Sequence, residues 1–133
     1  MFELHQRLAA DTVAVADWAL CRVLLMDDAT YPWLILVPRR ESVVELHDLD
    51  AADRSLLVEE MARASAALKA ETGADKINVA ALGNVVPQLH VHVVARFTSD
   101  PAWPRPVWGA VPARPYDPVE RDRMLGRLRR ALG

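Results

Sequence analysis

The stretch Gln88-Leu89-His90-Val91-His92-Val93-Val94 alternates polar and apolar residues with a period of two. Successive strand side chains point to opposite faces, so Gln88, His90 and His92 share one face and Leu89, Val91 and Val93 the other. The apolar set needs a core to cover it, which commits this part of the chain to a sheet. At a rise of ~3.3 Å per residue the two imidazoles stand about 6 to 7 Å apart along the strand. They are the only closely spaced pair among four histidines, and packing alone rarely requires such a pair. They follow shortly after the turn residues Gly83-Asn84, and the arrangement points to catalysis.

The rest of the chain supplies neighbours for that strand. Residues 3–10 read as a short helix, Thr12 to Ala16 as a short extended segment, and Leu20 to Met26 as a strand. Trp33 to Val37 is a continuous apolar run ended by Pro38, too short for a helix and suited to a central strand. The last two runs, with only a polar break between them, read as an antiparallel pair. Arg39 to Asp50 reads as a loop with a helical turn at Val43 to Leu46. Asp50 suits an N-cap, Leu57, Met61, Ala64 and Leu68 recur at helical spacing, and Gly73 ends that helix. Lys76 to Leu82 and Gln88 to Phe97 then form a hairpin whose loop lies at the histidines. Six prolines fall between Asp100 and Pro118 with Trp103 and Trp108 among them, an ordered but irregular segment. Asp117-Pro118 reads as the N-cap and first residue of a short C-terminal helix.

These elements amount to an antiparallel sheet with flanking helices, an α+β fold, in one domain over 1–133. Its core spans about 15–110, and 111–133 form an irregular segment plus helix. The chain has 133 residues, 52% of them hydrophobic and 26% charged, with a formal net charge of −2. That composition fits an ordinary globular protein, and no basic excess indicates binding to a nucleic-acid duplex. Cys21 is the single cysteine and lies in an apolar run, so it reads as a small buried hydrophobe. The N-terminus has no basic region followed by an apolar one, and no apolar run is long enough to span a membrane. The expected location is the cytoplasm.

Three readings of His90 and His92 stay open on the residues alone. They are satisfied histidines on a sheet face, or two ligands of a metal site, or a nucleophilic pair. A zinc site needs three or four ligands, and no acidic residue shares this strand face. In the third reading a neutral imidazole attacks phosphorus while its neighbour assists. The Gly83-Asn84 turn then supplies amides for the phosphate. This reading is favoured.

The segment from Asn78 to Val94, Asn-Val-Ala-Ala-Leu-Gly-Asn-Val-Val-Pro-Gln-Leu-His-Val-His-Val-Val, resembles the signature of the histidine triad (HIT) superfamily. The upstream Trp33 to Arg39 is similar to the family's apolar strand ending in Pro and a basic residue. The resemblance covers roughly residues 15 to 110. It implies a small α+β protein, usually a homodimer, that binds nucleotides and cleaves or transfers at the α-phosphate without a metal or other cofactor. It places His90 at the nucleophile that forms a nucleotidyl-histidine and His92 at the last triad position, near the phosphate or leaving group. Asn78, Gly83 and Asn84 become substrate-binding. Gln88 stands where the first triad histidine belongs. It can donate and accept hydrogen bonds but cannot titrate, so its place in the catalytic set is to orient His90 or hold phosphate. The alternative that Gln88 raises is a nucleotide-binding module without turnover. Val85 also departs from the pattern, since many members carry Ser or Thr near it.

Arg39, Arg40 and Arg96 are either phosphate contacts or solvated charges. Trp103 and Trp108 stack on a base, meet a partner protomer, or pack on the chain's own core. His47, beside Asp48, reads as a surface residue.

Overall fold

In the computed structural model, which describes residues 1–133, the chain runs α1 (Gln6–Asp11), β1 (Thr12–Asp17), β2 (Cys21–Met26), β3 (Trp33–Pro38), α2 (Ala51–Thr72), β4 (Lys76–Ala80), β5 (Val91–Arg96) and α3 (Pro118–Leu132). The strands form one sheet in the order β1-β2-β3-β5-β4, and every neighbouring pair is antiparallel. This is the expected α+β arrangement. No helix is long and apolar enough to cross a membrane.

β3 and β5 lie inside the sheet and are buried along their whole length. Such strands read as nearly continuous apolar runs, because each face meets a core. On one face Val23, Leu34, Leu36, Val91, Val93 and Ala95 pack with residues of α2 and α3. On the other, Leu24, Trp33, Ile35 and Val94 pack with Leu8 of α1, Val86, and Ala102 and Val107 of the irregular segment.

The hairpin strands are shorter than the alternation suggests. The β4–β5 ladder starts at Lys76↔Arg96 and ends at Ala80↔His92, while β3 pairs with β5 only as far as Leu36↔Val91. The backbone N–H of Leu89 turns instead to the carbonyl of Val43, at 3.0 Å. With no partner strand beyond Val91, residues 88–90 leave the sheet. The turn expected at Val43 to Leu46 lies at Leu46–Asp48 as a single 3-10 turn. Its position follows Asp48, whose carboxylate accepts the N–H groups of Val44 and Glu45 at 3.1 and 2.8 Å.

α2 starts and stops where its ends dictate. Asp50 accepts the Asp53 N–H at 2.8 Å, and Gly73 takes the left-handed conformation at φ 70° that terminates the helix. Its buried face holds Leu57, Glu60, Ala64 and Leu68, with Met61 only partly buried. The buried Glu60 accepts the backbone N–H groups of Leu20 and Cys21 at 3.0 and 2.8 Å. These donors sit in the tight β1–β2 turn, where an unpaired buried N–H would be costly. Burial, helped by the Glu60 charge, raises the Cys21 thiol pKa and keeps it neutral. At the other end of the chain, Asp117 accepts the Glu120 N–H, and Leu125, Leu128 and Leu132 seat α3 on the core.

Arg96 is neither a phosphate contact nor a solvated charge. Its side chain is 1% exposed and pairs with Asp100, which is 5% exposed, at 2.8 Å. It also donates to the Asn78 Oδ1 and the Arg105 carbonyl. Asp100 in turn accepts N–H groups from Phe97, Ala102 and Trp103. The Arg96 guanidinium, with those amides behind it, pulls the Asp100 carboxyl down to about 2. This node gives the proline-rich segment a fixed course across the sheet. Breaking such a pair from one side leaves a buried charge without a partner. Arg96→Met is therefore expected to lower stability by about 3–5 kcal/mol in urea unfolding at neutral pH. A loss under about 1 kcal/mol would show that the pair does not anchor the segment.

Candidate active site

His90 sits one residue before β5 and His92 is its second residue, directly opposite Ile35 of β3 and Ala80 of β4. Both are nearly buried, at 6% and 7% exposure. Their rings meet edge to face with centroids 4.9 Å apart. Trp33 and Trp108 close on the second ring, at 5.6 and 5.1 Å from His92. Trp108 thus packs within the chain, against the site itself.

Two hydrogen bonds fix how protons are placed on this pair. His90 Nδ1 lies 2.7 Å from the carbonyl oxygen of Gln88. A carbonyl only accepts, so Nδ1 carries the hydrogen and neutral His90 keeps its lone pair on Nε2. The indole N–H of Trp33 donates to His92 Nδ1 at 3.0 Å. An indole only donates, so His92 is the opposite tautomer, with its hydrogen on Nε2. Burial, together with the neighbouring His90, pushes the His92 pKa down to about 4. With both rings neutral, the site offers one ring nitrogen with a free lone pair and one with a hydrogen to donate.

Beside the rings lies a cavity of about 230 Å³. Its walls include Leu8 of α1, Met26 of β2, Ile35 of β3, Val86 and Trp108, with Gly83, Asn84 and Val85 at one side. The backbone N–H groups of Gly83, Asn84 and Val85 have no acceptor within the chain. Gly83, which lines the cavity with the two rings, adopts φ 75°, a conformation that glycine reaches without strain. Arg7 and Asp11 are the charged residues at the rim.

The structure thus brings together His90, His92, Gly83 and Asn84 from the residues singled out by sequence. It does not bring Asn78 or the Gln88 side chain to the cavity. Asn78 faces the same side of the sheet as His92 but accepts from Arg96 at 2.8 Å. The Gln88 amide is taken up by the N-terminal segment, donating to the Glu3 carbonyl and accepting from the His5 N–H, each at 2.8 Å. Only its backbone carbonyl orients His90. Arg39 and Arg40 are engaged elsewhere, with the Trp18 carbonyl and with Asp53. No group of three or more His, Cys, Asp or Glu side chains is placed to hold a metal ion. Sequence reasoning missed Trp33 as the partner of His92 and α1 as a cavity wall. The signal available for α1 was one large apolar residue, Leu8, in a helix of six residues, which is too little to place it.

The chain is similar to several solved structures over nearly all its length. A histidine triad protein from Bradyrhizobium japonicum is 50% identical, with 99% of this chain and 98% of that one covered and a TM-score of 0.96. One from Marinobacter aquaeolei is 46% identical, with 99% and 96% covered and a TM-score of 0.96. One from Sinorhizobium meliloti is 44% identical, with 98% and 97% covered and a TM-score of 0.95. No curated protein sequence matches the chain. The family model described as the HIT domain matches residues 7–99, so the matched region begins in α1 and takes in both histidines, the Gly83 turn and the Trp33 strand. The chain belongs to the histidine triad, or HIT, family.

Proposed function

We propose that this protein is a nucleotide hydrolase or nucleotidyltransferase that works at an α-phosphate through a nucleotidyl-His90 intermediate. The observation that carries the reading is the His90 Nδ1–H bond to the Gln88 carbonyl, which leaves Nε2 as a lone-pair donor beside the cavity. Dinucleoside polyphosphates and nucleoside phosphoramidates are the substrate classes that fit. The apolar walls suit a base, and the free amides of the Gly83 to Val85 loop suit phosphate oxygens.

The reaction is a double displacement. His90 Nε2 forms a bond to the α-phosphorus as the bond to the leaving group breaks, and the leaving group keeps the electron pair. The ring becomes cationic, and the Gln88 carbonyl, at 2.7 Å from Nδ1, stabilises that charge. His92 donates its Nε2–H as a hydrogen bond and, being neutral, does not add positive charge beside it. A phosphate leaving group departs as an anion; an amine takes its proton from solvent. Water, or a second acceptor, then attacks phosphorus and gives up its proton to solvent, as the bond from phosphorus to Nε2 breaks and its electron pair returns to His90. A homodimer belongs to the same reading. β4 is an edge strand, and Val44, Leu46 and Leu82, all about half exposed, line a second depression that also reaches His90.

His90→Ala is expected to lower turnover of diadenosine polyphosphate by about a thousandfold or more, and to abolish a nucleotidyl adduct that alkaline trapping and mass spectrometry find on His90 in the wild type. Wild-type rates in the variant would remove the nucleophile assignment, and tight nucleotide binding without wild-type turnover would favour a binding module. Light scattering is expected to give about twice 14.8 kDa; a monomer at micromolar concentration would refute the dimer.

The His92 environment gives a pH test. Its folded pKa of about 4 lies below its unfolded value of about 6.5, so the unfolded chain binds the extra proton first as pH falls. The stability that His92 contributes as a neutral group is complete above about pH 6.5. It declines on the way down and is gone below about pH 4, a change on the order of 3 kcal/mol. Urea unfolding from pH 7 to pH 4 should show this decline in the wild type and a flatter curve in His92→Gln. Parallel curves would contradict the assignment.

A further inference from the structure

The first triad position holds Gln88, and its side chain has a definite job away from the cavity. Nε2 donates to the carbonyl of Glu3 and Oε1 accepts from the N–H of His5, both at 2.8 Å. The bonded groups flank Leu4. This is the pattern a neighbouring parallel strand offers, with one donor and one acceptor to the residues either side of a third. A primary amide presents donor and acceptor side by side and so imitates a peptide group. The two nitrogens of an imidazole diverge and cannot do the same.

His5 then passes the constraint on. Its Nδ1 accepts the Arg7 N–H at 3.0 Å and its carbonyl accepts the Ala9 N–H at 3.0 Å, which closes the first turn of α1. α1 has six residues, far too few to be stable as an isolated helix. Its position depends on what holds its ends. Leu8 anchors it by burial in the core beneath, and Gln88 anchors the chain that enters it. α1 places Arg7, Leu8 and Asp11 on the cavity. Arg7 is the only lysine or arginine there, and its pairing with Asp11 is loose, at 3.7 Å between half-exposed groups. A phosphate group entering the cavity can take that guanidinium with little loss.

We propose that Gln88 is a positioning residue. It clamps residues 3–5 to the segment that carries His90, so that α1 stands as a fixed wall of the nucleotide cavity and Arg7 faces the phosphates. This rests on the nucleotide reading above. One residue thereby sets both sides of the site, the nucleophile through its carbonyl and the wall through its amide.

The test uses adenosine 5′-monophosphate affinity by calorimetry, which requires no turnover, together with steady-state kinetics. The proteins are the wild type, Gln88→Ala, Gln88→Glu, His5→Pro, the Gln88→Ala/His5→Pro double variant and Arg7→Ala. His5 has φ −53°, which proline accepts, so His5→Pro removes the N–H that Gln88 holds, together with the imidazole that accepts the Arg7 N–H, without forcing the backbone. Gln88→Glu keeps the acceptor and loses the donor. Gln88→Ala, His5→Pro and Arg7→Ala are each expected to weaken binding by about tenfold, with Gln88→Glu between them and the wild type. The double variant should be no weaker than His5→Pro alone, because that variant already lacks the N–H through which Gln88 acts on α1. KM should rise by a similar factor while kcat changes less than threefold, and amide hydrogen exchange over residues 3–11 should accelerate in Gln88→Ala. If kcat falls and KM holds, Gln88 acts on the chemistry. If the two single effects multiply, the clamp does not act through His5. Either outcome overturns the proposal. A wild type that binds no nucleotide overturns the functional reading on which it stands, and exchange over residues 3–11 then still decides whether the clamp exists.

Discussion

The constraint on which the structure turns is the burial of β5 on both faces. A strand inside a sheet, covered above and below, tolerates polar side chains only when each finds a partner. The chain nevertheless puts His92 and Arg96 on it, with His90 one residue ahead. Each has a specific solution: the indole of Trp33 for His92, the carbonyl of Gln88 for His90, and Asp100, Asn78 and the Arg105 carbonyl for Arg96. Those partners come from β3, from the loop before β5, from β4 and from the irregular segment. Satisfying one strand therefore fixes the pieces that surround the site. The Arg96 node settles the course of the segment that brings Trp108 against His92, so an apparently structural ion pair shapes the pocket.

What could be read from sequence was whatever depends on residues near one another along the chain. The alternation around His90 gave the strand and its apolar face. Asp50, Gly73 and Asp117-Pro118 marked helix ends through local hydrogen bonds and backbone preference, and all three do so. The strand boundary was less legible. Alternation continues back to Gln88, but a strand lasts only as long as its neighbours do, and the ladders stop at Val91 and His92. The same limit applies to polar residues whose partners are distant. Gln88 is bonded to groups more than eighty positions away, and Glu60 to a turn some forty positions away. No local pattern distinguishes either from a solvated side chain. Arg96 misleads for a further reason, because a lone arginine is usually exposed and its burial becomes favourable only with several acceptors assembled around it.

The electrostatics of the cavity follow from the same economy of partners. The hydrogen bonds give the two imidazoles opposite tautomers, and neither is bonded to a carboxylate. With a formal net charge of −2, the molecule as a whole does not draw anions by long-range attraction. On the proposed function, recognition of a phosphate ester comes from groups at contact distance: unpaired backbone amides near Gly83, the Nε2–H of His92 and the guanidinium of Arg7. Preorganised donors of this kind act strongly where water is excluded, because they need no rearrangement as charge moves. A cationic His92 would add attraction, but it would sacrifice the Trp33 hydrogen bond and, in the proposed mechanism, place two positive rings 4.9 Å apart. The depressed pKa of His92 is thus the electrostatic counterpart that the proposed mechanism asks for, in which His90 itself becomes positive.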